Sequence, residues 1–383
     1  MDTKLSYSLR ELAQLAGVSK STASRVISGN GYASPDVRER VLKAAEELRY
    51  KPNAVARAMV AKRTYNIGVI VFRDKLPIVS HTLYGKIVDE ILMAAENLGY
   101  SIFLKTDREM SLRSMDYMLE QRVDGLILIS RLRKNVIDYV KKFNIPYIMV
   151  NGSAEDPDVV HLVSNDEAGG ERAAEHLYDQ GHRRFFIVAG PVEHRSHSLR
   201  LSGFLNKLGS LDDVKRTIAE EDKQSGQGSD GIVDETSTKA EDASRISIVT
   251  VAESPDSGFD SGVRLMEERY EEFRSGGYTA LFATNDMLAL GAMKVLLENG
   301  VHVPEDVSVM GYDNTDLGGM YHPALTTVSV DAAGLGRDAV AILDRMIGGE
   351  ENVPRLIEYE SEVIARRSTR GEGNGTCSGI GNT

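Results

Sequence analysis

Three short blocks of apolar residues recur at helical spacing along the first fifty positions. Leu9, Leu12, Ala13 and Ala16 form the first, behind a capping box at Ser8-Leu9-Arg10-Glu11. The second lies in AGVSKSTASRVISG, where Ala23, Val26 and Ile27 share one face and Lys20, Ser21, Ser24 and Arg25 share another. Gly17 suits the turn before it and Ser19 its N-cap. In the third, Ser34-Pro35 supplies an N-cap and an N1 proline for a stripe of Val37, Val41, Ala44, Ala45 and Leu48. The pattern predicts a helix-turn-helix whose second helix is polar and basic. Taken alone, that segment reads equally well as a solvated face; its neighbours favour the motif.

After residue 65 the pattern changes to apolar runs alternating with amphipathic helices. IGVIVF (67–72) precedes a helix around 84–98, and SIFLK (101–105) precedes one around 111–121. GLILIS, PYIMVN, FFIVAG, ISIVTV, ALFAT and VSVMGY follow in the same rhythm. This predicts an α/β class with parallel sheets, and so many strands favour two Rossmann-like subdomains. Ligands in such folds sit at the carboxyl ends of strands, so the residues just after each run are site candidates. Two stretches break the rhythm: an acidic Ser/Gly/Thr-rich segment at 211–245, read as a disordered insertion, and a tail at 367–383, read as disordered.

Charge sharpens the picture. Residues 1–65 hold 12 Lys+Arg against 6 Asp+Glu, a net of +6, while the whole chain carries −12, leaving −18 for the rest. A basic head on an acidic body is the asymmetry of a nucleic-acid module tethered to a second domain, with contact confined to the head. No signal-peptide pattern and no apolar run of about 18 residues or more are present, so a cytoplasmic protein without a membrane span is expected. The single cysteine, Cys377, has no partner for an internal disulfide. Catalytic patterns are missing too. There is no phosphate loop, no G-x-S-x-G elbow, and nothing completes a metal site around His194 and His197. Neither enzymatic activity nor a metal or cofactor is expected.

Six stretches in order, LAGVSKSTASRVISG, YKPNAVARAM, GHRRFFIVAGP, ATNDMLALGA, VPEDVSVMGYDN and HPALTTV, resemble the lactose-repressor (LacI/GalR) family of bacterial transcription regulators. The resemblance spans about 8–369 apart from the insertion. It implies a helix-turn-helix head (1–50), a hinge helix (51–63) and a core shaped like a periplasmic sugar-binding protein (66–366). The core divides into an N-subdomain, 66–164 plus 305–328, and a C-subdomain, 165–304 plus 329–366. It further implies a homodimer on double-stranded operator DNA, controlled by a small effector, with no membrane partner. Lys20, Ser21 and Arg25 then take base-reading positions in the major groove, and Ser8, Thr22 and Ser24 are placed for phosphates. Arg25 suits a guanine edge, and short hydroxyls suit phosphates. Asn53, Ala56 and Met59 belong to the hinge in the minor groove, with Met59 where the family commonly has a wedging leucine.

By the same resemblance Arg200 faces the effector cleft and Asp286 is its acidic partner. A guanidinium and a carboxylate across a cleft suit a polyhydroxyl ligand, so a sugar is expected; a purely structural ion pair is the competing reading. Further candidates are Asn151, Asn165, Asp166, Asp74, Ser196 and His194, for each of which turn capping competes, and Tyr84 as a ring face for a sugar. Two rival functions stand beside this one. A nucleobase or nucleoside corepressor would require aromatic stacking that the chain offers only at Tyr84. A sugar-binding transport protein would fit the core but not the basic head.

Overall fold

The structure, a computed structural model, describes residues 7–28, 32–48, 50, 63–72, 82–107, 116–118, 120, 122–130, 134–152, 159–211 and 245–371. Asn53, Ala56, Met59 and the rest of the expected hinge before Arg63 lie outside the described residues. So do Asp74, residues 212–244 of the insertion and residues 372–383 of the tail.

The head consists of α1 (Leu9–Leu15), α2 (Lys20–Ser28) and α3 (Pro35–Glu47). Local chemistry starts each one. Ser8 Oγ accepts from the Glu11 amide at 3.3 Å while the Glu11 carboxylate takes the Ser8 amide at 2.8 Å. Ser19 Oγ accepts from the Thr22 amide at 3.1 Å, and Ser34 Oγ from the Val37 amide at 3.4 Å. Gly17, at φ +62°, turns the chain between α1 and α2 in a conformation that side chains resist. Arg40 of α3 donates to the Ala16 carbonyl at 3.2 Å and so closes the end of α1. Leu12, Ala16, Ala23, Val26, Val41 and Ala44 fill the small core between the three helices.

The remainder builds two sheets. In the first lie β1 (Asn66–Phe72), β2 (Ser101–Asp107), β3 (Gly125–Ile129), β4 (Tyr147–Val150), β5 (Val160–Ser164) and β11 (Leu356–Tyr359). They run in the order β11-β5-β4-β3-β1-β2, all parallel. In the second lie β6 (Arg184–Ala189), β7 (Ile248–Glu253), β8 (Ala280–Ala283), β9 (Ser308–Asp313), β10 (Thr326–Ser329) and β12 (Val363–Ile364). Their order is β12-β10-β9-β8-β6-β7, parallel except for the antiparallel edge β12. Both faces of the central strands are covered, which is why they read as unbroken apolar runs: Leu126 to Ile129 and Phe185 to Ala189 are fully buried.

The connecting helices are α4 (Tyr84–Asn97), α5 (Lys134–Lys141), α6 (Asp166–Asp179), α7 (Arg195–Leu211), α8 (Phe259–Gly276), α9 (Asp286–Glu298), α10 (Asp316–Met320) and α11 (Ala332–Ile347). Among the described residues, no helix is long and apolar enough to cross a membrane.

Two expectations are corrected. Segment 305–328 does not join the first sheet, because β9 pairs with β8 and β10 pairs with β9 in the second. Nor does all of 329–366 join the second, since β11 pairs with β5 and α11 packs on α4 and β3. Among the described residues the chain therefore passes between the sheets three times, after β5, after β10 and after β11. The second correction concerns the start of the tail. Ser368 is fully buried, accepting from the Thr326 amide at 2.7 Å and donating to the Val309 carbonyl at 2.6 Å. Thr369 meets Thr326 hydroxyl to hydroxyl at 2.9 Å, so residues 367–370 are stitched along the second sheet.

Candidate functional site

Helix α2 presents two faces. Ala23 and Val26 turn into the head, whereas Lys20, Ser21, Ser24 and Arg25 are exposed together. Arg25 Nε lies 3.4 Å from the Ser21 carbonyl, so the guanidinium lies back along its own helix. Thr22 is half-buried, its hydroxyl 2.8 Å from that of Ser19. Ser8 differs from the expectation. Its hydroxyl lies 2.8 Å from the Glu11 carboxylate and its amide is also taken, so Ser8 serves as a cap. Both of its donors are engaged with Glu11 here, and the hydroxyl is exposed.

In the core, the carboxyl ends of strands converge on one buried guanidinium. Helices α6 and α7 approach closely because glycines stand at the contact: a Cβ on Gly170 would lie 2.2 Å from the Arg200 carbonyl, and one on Gly203 2.0 Å from that of Glu167. That docking brings Arg200, 2% exposed, onto Asp166 at the start of α6, with Nε to Oδ1 at 2.9 Å. Arg200 Nη1 donates to Asp313 Oδ1 and to the Thr284 carbonyl, each at 2.9 Å. Its guanidinium stands 3.9 Å from the centre of the Tyr312 ring. Arg195 approaches the second oxygen of Asp166 at 4.0 Å.

Asp313, not Asp286, is thus the carboxylate that joins Asp166 on Arg200. Asp286 is fully buried at the first position of α9, where Thr315 and Thr327 enclose both of its oxygens. The expectation that it faces Arg200 is corrected. Of the weaker candidates, Asn165 caps α6 by accepting from the Ala168 amide at 3.2 Å. Asn151 is half-buried at φ +48° just after β4, and Tyr84 is half-buried against the main core. Ser196 is half-buried on the first turn of α7. His194 lies with its ring centroid 5.8 Å from that of His197. His197 itself was missed. It is buried, with Nδ1 2.7 Å from the Thr284 hydroxyl, which also accepts from the Gly190 amide at 2.8 Å. Asp313, Tyr312 and Thr284 were missed as well, although Thr284 and Tyr312 end the runs ALFAT and VSVMGY and Asp313 is the residue just past the second. Among the described residues, Ser164 Oγ, buried at the end of β5, has no hydrogen-bond partner.

Burial dominates the electrostatics. It works against the Arg200 charge, but Asp166 and Asp313 outweigh it and hold the guanidinium more firmly protonated than a free arginine. Burial raises Asp313 to about 7 despite the pull of Arg200, with Asp286 and Asp166 adding to the rise. It raises Asp286 to about 6 against its hydrogen bonds from Thr327 and Thr315. His197 is pushed well below its usual value by burial and by the Arg200 charge.

The sign of the pH dependence follows. A carboxylate raised in the folded chain keeps a proton that the unfolded chain releases above about 4, so its contribution fades as pH rises through the folded value. His197, His176 and His182, the last lowered by burial to about 4, act in the opposite sense, adding stability as the unfolded imidazole sheds its proton through about 6.5. Between pH 6.5 and 8 the two sets oppose each other, and the raised carboxylates supply the limb that lowers the melting temperature as pH rises. Asp313→Asn should flatten that limb in a pH series of thermal melts; an unchanged slope would place the titration elsewhere.

Three family models match the chain. Residues 8–53 match the bacterial regulatory proteins of the lacI family. Residues 64–231 match the periplasmic binding proteins and sugar binding domain of the LacI family, and 174–369 a periplasmic binding protein-like domain. An HTH-type transcriptional repressor PurR of Haemophilus influenzae (strain PittEE) is 31% identical over 371 residues, covering 94% of this chain and 98% of that protein. Among solved structures, the Lac repressor dimer bound to operator and the anti-inducer ONPF superposes with a TM-score of 0.75 at 27% identity, covering 96% of this chain and all of that one. A complex of the transcriptional regulator CelR with cellobiose gives 0.63 at 28% identity, over 94% of this chain and 99% of that one.

Proposed function

The chain belongs to the lacI family of bacterial regulatory proteins, and from that premise we propose that its effector is a sugar held at Arg200, Asp166 and Asp313. As a member of that family it is a DNA-binding transcriptional regulator, a repressor by its relatives, with an effector-binding core and no enzymatic role. Lys20, Ser21 and Arg25 read the operator's major groove, while Thr22 and Ser24 approach its phosphates. Such a regulator works where the chromosome is, in the cytoplasm.

One observation carries the sugar reading: two buried carboxylates share one guanidinium at the carboxyl ends of the strands. The cluster therefore holds more acceptor than donor capacity. A ligand with several adjacent hydroxyls corrects that imbalance, because each O–H donates to a carboxylate and its oxygen accepts from Arg200. A nucleobase would instead require an open ring face, and the Tyr312 ring is buried with Arg200 across it. The CelR neighbour is complexed with cellobiose, which agrees with this preference.

The proposal includes a homodimer. An apolar groove of about 360 Å³ is lined by Phe259, Met287, Leu290, Leu317, Met320 and Tyr321. Met320 is 80% exposed and Leu317 48%, an arrangement that a second copy would cover. The Lac repressor to which this chain is similar is a dimer.

A thermal-shift panel on the full chain tests the effector class, using hexoses, cellobiose, sugar phosphates and purine bases. A ligand at about a hundred times its Kd adds about 2.7 kcal/mol of stability, a shift that is easily read. A sugar is expected to raise the melting temperature, and Asp313→Asn to remove the rise. A response to purines and to no sugar would overturn the reading.

A further inference from the structure

Strand β9 ends in an unusual turn. Asp313 stands at φ +115° and Asn314 at φ +56°, two successive non-glycine residues in a region that side chains disfavour. That backbone aims the Asp313 carboxylate at Arg200 Nη1, 2.9 Å away. Surrounding structure must hold it there: Arg366 Nη2 donates to Asn314 Oδ1 at 2.6 Å and Ser329 of β10 pairs with Asp313, while three further contacts converge on one side chain. Asp286 Oδ2 accepts from the Thr315 amide at 2.7 Å and the Thr315 hydroxyl at 2.9 Å. Its Oδ1 accepts from the Thr327 hydroxyl at 2.6 Å, and the same Thr327 oxygen accepts from the Asn314 amide at 3.3 Å. Both residues after Asp313 are therefore tied to Asp286, one directly and one through Thr327.

Asp286 is well placed to act as an anchor. It opens α9, where a carboxylate is favoured by the helix dipole, and Asn285 caps that helix by accepting from the Leu288 amide at 2.8 Å. Room for its carboxylate exists because residue 311 is glycine: a Cβ there would stand 2.4 Å from Asp286 Oδ1. Two residues before it, the Thr284 carbonyl accepts from the same Nη1 of Arg200 that Asp313 binds. One strand-to-helix junction thus sets both the guanidinium and the turn that meets it.

We infer that Asp286 is a positioning residue of the effector site, which touches no ligand and holds the Asp313–Thr315 turn so that the Asp313 carboxylate meets Arg200. The inference rests on the reading of Arg200 and Asp313 as effector-binding residues, but its test does not. The full chain is labelled with [15N]arginine, and the Arg200 guanidinium signal is assigned by its loss in Arg200→Lys. No effector is present, so a silent sugar panel cannot be mistaken for failure here.

In Asp286→Asn the side chain keeps its size, but its amide group turns donors toward Thr315 or Thr327. Solvent exchange of the Arg200 Nη1 protons is expected to quicken about tenfold, the scale of one lost charge-assisted hydrogen bond. Thr327→Val should quicken it in the same direction, and Thr327→Ser, which restores the hydroxyl, should return it to the wild-type rate. Asp286 does not touch Arg200, so a residue that merely supported the fold would leave this signal where it was. Wild-type exchange in both Asp286→Asn and Thr327→Val would overturn the inference; if Asp286→Asn does not fold, Thr327→Val decides it.

Discussion

Arg200→Ala is expected to lower the stability of the core by about 3–5 kcal/mol, the range for breaking a buried ion pair by removing one partner. The reason lies in what remains. Asp166 and Asp313 are 2% and 7% exposed at their side chains, so neither is resolvated when the guanidinium goes. The Thr284 carbonyl also loses its donor, and the Tyr312 ring loses the cation stacked on it. Urea unfolding of the full chain would measure the loss. A companion variant separates charge from volume: Arg200→Met combined with Asp166→Asn and Asp313→Asn removes the whole ionic set at similar size. It should recover much of the stability, because a buried ionic cluster often stabilises no better than a packed neutral one. Neither variant should respond to effector. A loss below about 1 kcal/mol in Arg200→Ala, the scale of an exposed pair, would mean that water reaches the carboxylates and that the cluster is not a desolvated site.

The same cluster shows where sequence patterns stop being informative. The capping box at Ser8 and Glu11, the Ser34-Pro35 start and the Gly17 turn were legible because each is a contact among residues three or four apart. Arg200 was legible through its motif, but its partner was not. Asp313 directly follows the run VSVMGY and Asp286 comes two residues after ALFAT, so both look like a carboxylate near a strand's end. Which one meets Arg200 depends on strand order. β9 lies beside β8, and its last residue projects the turn over α7, while Asp286 is drawn back by Thr315 and Thr327. Sheet membership failed for the same reason. Buried parallel strands are all apolar, so VSVMGY carries no mark of the sheet that it joins. Ser368 and Thr369 were hidden by composition: polar residues next to a Gly-rich tail read as loop, yet the Ser368 hydroxyl bonds backbone groups of β9 and β10 and the Thr369 hydroxyl meets that of Thr326.

Arg25→Ala is expected to weaken operator binding more than any other single change in the head. On α2 the buried face is committed to packing through Ala23 and Val26, which leaves Lys20, Ser21, Ser24 and Arg25 as the exposed surface proposed to approach DNA. Within that surface only the guanidinium combines charge with a planar pair of donors matched to the acceptor pair of a guanine edge. Its contact with the Ser21 carbonyl, at 3.4 Å, is long and exposed, so exchanging that contact for one to a base costs little. A bidentate contact of that kind is worth about 1–3 kcal/mol, and a dimer on a near-palindromic site makes it twice, so about 2–6 kcal/mol should be lost. Binding is measured by fluorescence anisotropy on an operator selected from random duplexes, and on its single-base variants. Arg25→Ala should erase the preference at one base pair in each half-site while leaving the others graded as before. Thr22→Ala, by contrast, should weaken every sequence by a similar factor, because phosphates carry no sequence information. If Arg25→Ala also weakened all sequences equally, with a shallower salt dependence, its guanidinium would be bound to phosphate, and base reading would fall to Lys20 and Ser21.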